Sequence, residues 1–182
     1  MKFAKSLPKT SRIYLTFDEL PSTLTYAKEN IKEIADNTVI TANTQTAGRG
    51  QFNRSWFSPP GTGIYCSIVR KPQSLHIAEI ADLTIEAAKA VASVVAEITD
   101  AEVTVKFPND VLADGKKICG ILVETATVDG LAEHIIIGIG LNVNTEKSDF
   151  PPELRDTATS LKIIAGREFD MDDVLEMILE EL

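Results

Sequence analysis

Apolar and polar positions alternate over residues 12–17, Arg-Ile-Tyr-Leu-Thr-Phe, and this period of two predicts a short strand. The period then changes. Tyr26, Ala27, Ile31 and Ile34 recur at helical spacing behind Ser22 and Thr23, either of which can serve as an N-cap, so a helix is expected there. Val39-Ile40-Thr41 reads as the next strand and residues 64–69 as the one after. Between them, residues 43–61 show little apolar periodicity and include Gly48, Gly50, Gly61 and the pair Pro59-Pro60. A connection that long inside a compact domain is usually functional. Residues 75–98 are predicted helical, with a mostly apolar stripe at positions 77, 80, 81, 84, 88, 91, 95 and 98 turned to the core.

Farther along, residues 103–107 read as a short strand. After Asn109-Asp110, residues 118–127 and 131–143 form two longer strands, joined as a hairpin by Val128-Asp129-Gly130. Ile135-Ile136-Ile137 is apolar on both faces, as a central strand requires. Pro151-Pro152 ends the extended part, and helices are expected at 158–165 and 171–182. Strands grouped between helices at both ends predict an α+β fold: one mixed β-sheet with helices mainly on one face. No repeat, linker or low-complexity tract divides the chain, so residues 1–182 are read as one domain.

The composition supports a core of that kind, with 182 residues, 44% of them apolar and 25% charged. Eighteen basic and 27 acidic residues give a net charge of −9, which argues against a broad grip on nucleic acid or an anionic membrane. Ile135 to Leu141 is the longest apolar run, far below the ~20 residues that span a bilayer, and the N-terminus MKFAKSLPKTSR has no apolar signal core. A cytoplasmic location is expected. Cys66 and Cys119 are then free thiols, since a chain of this size needs no covalent staple. The charge is unevenly spread. No Asp or Glu occurs between Asp36 and Glu79, a window that holds Arg49, Arg54, Arg70 and Lys71, whereas residues 168–182 carry seven carboxylates and no Lys or Arg. The acidic stretch reads as a solvated face. The glycine-rich loop with its arginines is the candidate anion site, because glycine lets backbone N–H groups approach phosphate and the guanidinium fork binds it bidentately.

Three segments combine glycine, a charged or amide side chain and a flanking strand: residues 45–56, residues 106–117 and Gly138-Ile139-Gly140-Leu141-Asn142. The last begins G-x-G, but Val143 stands where a dinucleotide fingerprint needs glycine, and no P-loop pattern occurs. His76 and His134 stand alone, without metal-ligand spacing or a nucleophile nearby in sequence. In GRGQFNRSWFSPPGTGIYCS (48–67), KFPND…KKICGILVE (106–124) and GIGLNVN (138–144), with Ser22-Thr23 before them and Ala158-Thr159-Ser160-Leu161 after, the chain resembles the biotin protein ligases, or biotin–acetyl-CoA-carboxylase ligases. The motifs stand in family order at roughly family spacing.

The resemblance implies a catalytic core related to lipoate ligases and class II aminoacyl-tRNA synthetases. It also implies two steps. Biotin and Mg-ATP give biotinyl-5′-AMP and pyrophosphate, and a lysine of a biotin carboxyl carrier domain then takes the biotinyl group. Two anions must meet in the first step, and Lys117, Arg49 and Arg54 are the cations expected to offset their repulsion. Lys117, Arg49 and Asp110 are the implied catalytic residues, with Asp110 as the Mg²⁺ carboxylate. Biotin is expected against Ser22, Thr23, Gln45, Arg49, Gly50, Gln51, Lys117 and Gly120. The nucleotide is expected against Arg49, Arg54, Trp56, Lys106, Asn109 and Asn142, with Trp56 over the adenine. A homodimer through the sheet is the family expectation.

The chain departs from the pattern. Pro21 and Leu24 flank Ser22-Thr23 where Asp-Ser-Thr-Asn is common, Phe107 replaces a tryptophan, Gln51 stands in place of a second loop arginine, and Asn53 in place of glycine. The small β-barrel that usually follows is not expected within these residues, nor is a DNA-binding domain before them, so no DNA partner is expected. A non-catalytic module holding biotin or its adenylate is the alternative. A lipoate or octanoyl ligase is a third reading, which the loop at 48–56 speaks against.

Overall fold

The computed structural model describes residues 12–72, 75–76 and 79–182. Seven strands, β1 (Ile13–Leu20), β2 (Thr38–Gln45), β3 (Gly63–Arg70), β4 (Val103–Lys106), β5 (Asp110–Ala113), β6 (Lys116–Val128) and β7 (Leu131–Asn142), form one sheet in the order β1-β2-β3-β7-β6-β5-β4. β1 runs parallel to β2, and all other pairs are antiparallel. The parallel pair needs a crossover, which contains helix α1 (Thr23–Glu29). The sheet is mixed, as the grouping of strands and helices predicts. β7 lies at its centre with Ile135, Ile136 and Ile137 all buried, the position expected for a run apolar on both faces.

Two tight hairpins build the β5-β6-β7 half. In each, an Asp-Gly pair holds both positive φ values that a two-residue turn of matching twist requires: Asp129 at 52° with Gly130 at 80°, and Asp114 at 49° with Gly115 at 75°. The first turn is expected from the sequence. The second is not, and neither is β5, because four residues are too few to show an alternation. The dipeptide Asp114-Gly115 was nonetheless a readable hairpin signal.

Helices α2 (Ile80–Ile98), α3 (Leu161–Ala165) and α4 (Met171–Glu181) pack on one face, where Ile64, Cys66 and Ile68 of β3 and Ile135, Ile137 and Ile139 of β7 meet Ala87, Val91, Val94 and Val95 of α2 and Val174 and Ile178 of α4. Each fully buried aliphatic side chain is worth about 1.5–3 kcal/mol relative to exposure. α1 packs on the opposite face, with Leu24 and Ala27 against Ile40, Val69 and Ile136.

Several boundaries differ from the expectation. α2 begins at Ile80, and its buried stripe takes in Leu83, Ala87, Ala90 and Val94 besides the expected positions 88, 91 and 95. Small alanines there let the helix approach the sheet over a wider arc than the apolar pattern marks. Position 77 of the expected stripe and the N-terminal residues 1–11 lie outside the described residues. α1 stops at Glu29, where Asn30 turns its own N–H and its side-chain Nδ2 to the Tyr26 carbonyl. Ile34 therefore packs from a turn. α3 starts at Leu161 because the Ser160 hydroxyl caps it, accepting the Ile163 N–H at 3.1 Å.

Cys66 and Cys119 are free and buried, as expected. Burial pushes the Cys66 thiol up to about 12 and raises that of Cys119 as well. No helix among the described residues is long and apolar enough to cross a membrane.

Candidate active site

Even-numbered positions of β7 share the face of Ile136, the one α1 covers, and two of them are Gly138 and Gly140. Gly140 pairs directly with Gly120 of β6. The missing side chains leave a trough in the sheet. Leu24 of α1 settles over Gly138, where a Cβ would lie 3.1 Å from its Cδ1. Trp56 lies over the Gly120–Gly140 pair, where Cβ atoms would lie 3.1 Å from Cζ3 and 2.5 Å from Nε1. Its Nε1–H is buried and has no hydrogen-bond partner among the described residues.

The trough opens into a cavity of about 550 Å³. Ser22, Thr23, Gln45, Arg49, Gly50, Gln51, Arg54, Trp56, Lys106, Asn109, Asp110, Lys117, Gly120 and Asn142 all line it. Every residue expected against biotin or nucleotide thus meets the same space, although they come from the start of α1, the long loop and five different strands.

A polar wall forms where α1 begins. Ser22 is its N-cap and accepts the Thr25 N–H at 3.4 Å. Gln45, at the end of β2, accepts the Thr23 N–H at 2.9 Å and lies 3.4 Å from the Thr23 hydroxyl, which also meets the Ser67 hydroxyl at 2.9 Å. From its other side Gln45 Nε2 donates to Ser58 Oγ at 2.9 Å. Ser58 and Ser67 are buried behind the wall, and the sequence reading missed both, since a lone serine carries no pattern.

The loop folds back on itself. Trp56 N donates to Gly48 O at 2.9 Å and Gly50 N to Arg54 O at 2.7 Å, closing a small two-stranded tongue around one 3₁₀ turn at Gln51–Asn53. Phe52 at its tip is 86% exposed, with φ at 56°. Arg54 donates through Nε to Gln51 O at 3.2 Å and lies 5.7 Å from the Phe52 ring centroid. Arg49 reaches across to β6, where its Nη2 donates to Glu124 Oε1 at 2.6 Å while Lys28 Nζ donates to Oε2 at 3.2 Å. Glu124 is a second residue missed. It follows Ile121-Leu122-Val123 inside β6, and an acidic residue directly after an apolar run was the available signal.

On the far side, the Lys117 ammonium stands 2.7 Å from Asp110 Oδ1 and 5.3 Å from the Trp56 ring centroid. Asp110 Oδ1 is buried and not aligned for a hydrogen bond, so the contact is one of charge. The Lys117 backbone is clamped, its N–H donating to Thr157 O at 2.8 Å and its carbonyl accepting Thr159 N–H at 2.9 Å. Asn142 Nδ2 steadies the same segment by donating to Thr159 O at 2.9 Å. Lys106 pairs with Asp110 across the β4-β5 hairpin, and Asn109 Nδ2 donates to Ile121 O at 3.2 Å. The expected cations are therefore at the cleft, two of them already engaged: Arg49 with Glu124, Lys117 with Asp110. His76 and His134 do not line it, and no group of three or more potential ligand side chains gathers for a metal among the described residues.

Residues 14–142 match the profile of the Biotin/lipoate A/B protein ligase family. The bifunctional ligase/repressor BirA of Bacillus subtilis (strain 168) is 40% identical over 161 residues, covering 86% of this chain and 49% of that protein. The biotin–[acetyl-CoA-carboxylase] ligase of Mycobacterium tuberculosis is 33% identical over 150 residues, 81% of this chain and 53% of its own length. The chain thus spans about half the length of the curated relatives it matches. A solved biotin protein ligase of Aquifex aeolicus, in complex with biotin and ATP, superposes with a TM-score of 0.77 at 33% identity, covering 93% of this chain and 67% of that one. With a profile match over most of its length, and the same mixed sheet in a solved relative, this chain belongs to the Biotin/lipoate A/B protein ligase family.

Proposed function

We propose that the chain is the catalytic core of a biotin protein ligase, which activates biotin with Mg-ATP to biotinyl-5′-AMP and transfers the biotinyl group to a lysine of a carboxyl carrier domain. One observation carries this reading: the polar wall, the arginine loop and the Lys117–Asp110 pair converge on a single cleft that joins a polar end to a charged end. A cyclic urea needs donors and acceptors, which Ser22, Thr23 and Gln45 offer, and an apolar chain can lie against the Trp56 and Leu24 side chains that fill the glycine trough. In the first step a carboxylate oxygen bonds to the α-phosphorus and the bond to the β-phosphate oxygen breaks, releasing pyrophosphate. Lys117, held by its backbone, is the fixed cation for the charge gathered there. In the second step the acceptor amine attacks the anhydride carbonyl, loses its proton and displaces AMP.

Asp110 fits the role proposed for it. Its buried Oδ1 has no aligned hydrogen bond among the described residues, only the charge contact with Lys117 at 2.7 Å, and one carboxylate beside phosphate oxygens is an ordinary donor set for Mg²⁺. When bound, the ion neutralises phosphate charge. Biotin rather than lipoate as substrate is supported by the names of the relatives and of the solved neighbour. The cytosol, where the carrier would be met, agrees with two free thiols.

Biotin-dependent pyrophosphate release from ATP tests the reading. Release is expected from the wild type and should fall at least ~100-fold in Lys117→Gln and in Asp110→Asn, the scale of one electrostatic contact in the transition state. A folded wild type with no release above the biotin-free rate overturns catalysis and leaves a binding module.

A further inference from the structure

We propose that Ser58, which does not reach the cleft, is a positioning residue for ligand recognition, acting through Gln45. The Thr23 backbone N–H can only donate, so the Gln45 atom 2.9 Å from it is the oxygen Oε1. Nε2 therefore faces the other way, and Ser58 Oγ receives it at 2.9 Å. An N–H cannot accept, so the Ser58 proton must point elsewhere, and the Trp56 carbonyl at 3.2 Å takes it. The result is a directed chain from the start of α1 through Gln45 and Ser58 to the loop that carries Trp56.

This chain decides what Gln45 can show a ligand. Oε1 is engaged by Thr23 and one Nε2 hydrogen by Ser58, so a single N–H remains for the cleft, fixed in direction. Ser58 is 6% exposed and its carbonyl is held in turn, accepting Thr44 Oγ1–H at 2.9 Å and Gln45 N–H at 3.3 Å. Space around it is tight, since a Cβ at Gly48 would lie 2.7 Å from Ser58 Oγ and 2.5 Å from Trp56 O. Removing the hydroxyl leaves Gln45 hinged on Thr23 alone, and it also unties Trp56 from the wall.

The proposal rests on the biotin reading, and a double-mutant cycle separates the two. Biotin affinity is measured by calorimetry for wild type, Ser58→Ala, Gln45→Ala and the double variant. Ser58→Ala is expected to bind about tenfold more weakly, the scale of one neutral hydrogen bond. In the Gln45→Ala background the same change should have no further effect beyond about twofold. A role in folding alone would weaken binding equally in both backgrounds, and that additive result overturns the proposal, as does wild-type affinity in Ser58→Ala. Wild type that does not bind biotin overturns the biotin reading and this inference with it. Should Ser58→Ala not fold, Ser58→Cys, whose thiol is a weak acceptor, goes through the same cycle with the same outcomes.

Discussion

Placing one methyl group at Gly140 tests whether Trp56 truly belongs to the floor of the cleft. In Gly140→Ala the new carbon would lie 2.5 Å from Trp56 Nε1 and 2.6 Å from Cε2, where ordinary contacts run to about 3.5–4.0 Å. The indole must therefore move by at least about 1 Å. The strand itself has no reason to object, because Gly140 does not have a positive φ and alanine at a compatible position gains about 0.4–1 kcal/mol by restricting the unfolded chain. That gain offsets part of the packing lost when the ring leaves the Gly120–Gly140 pair, so the midpoint of thermal unfolding should shift by only a few degrees. Function is more sensitive, since a misplacement of about 1 Å in a cleft wall can cost ~100-fold in rate. Trp56 is the one tryptophan of the chain, so its fluorescence reports its own position. We expect a red-shifted emission, a folded protein and pyrophosphate release lowered about 100-fold. Emission and rate both equal to wild type would refute the seat described for the indole.

Two further predictions concern the loop and the core. Gln51 lines the cleft and can make only neutral hydrogen bonds, whereas charge-assisted ones are about twice as strong, so preformed biotinyl-adenylate should dissociate more slowly from Gln51→Arg than from wild type; equal or faster loss from the variant rejects the idea. Burial holds Cys66 protonated up to about 12, so its contribution is intact below pH 9 and is lost as pH rises from there toward 12, because the unfolded chain ionises first. Urea unfolding at pH 8 and pH 10 should show a loss of about 1.4 kcal/mol or more in wild type relative to a Cys66→Ala/Cys119→Ala variant, and parallel pH dependences would remove the effect.

The sequence by itself determined the class of fold, the central place of Ile135-Ile136-Ile137 and, through its resemblance to the biotin protein ligases, the set of residues that meet in the cleft. These are properties carried by periodicity, by turn dipeptides such as Asp129-Gly130, and by motifs whose glycines and charges stand at fixed spacing. It left β5 and the Asp114-Gly115 turn unread, and it made α1 too long, because four residues are too few for a period and because the cap at Asn30 overrides an apolar pattern that continues to Ile34. Tertiary structure alone decided the partners. That Arg49 lies on Glu124, 75 positions away, that Lys117 stands on Asp110, and that Ser58 orients Gln45 follow from strand order and from which face each residue takes in the sheet. The physical reason is range: a side chain's local preference is set by its neighbours in sequence, whereas its hydrogen-bond and charge partners are chosen by the packing that brings side chains from distant segments within about 3 Å.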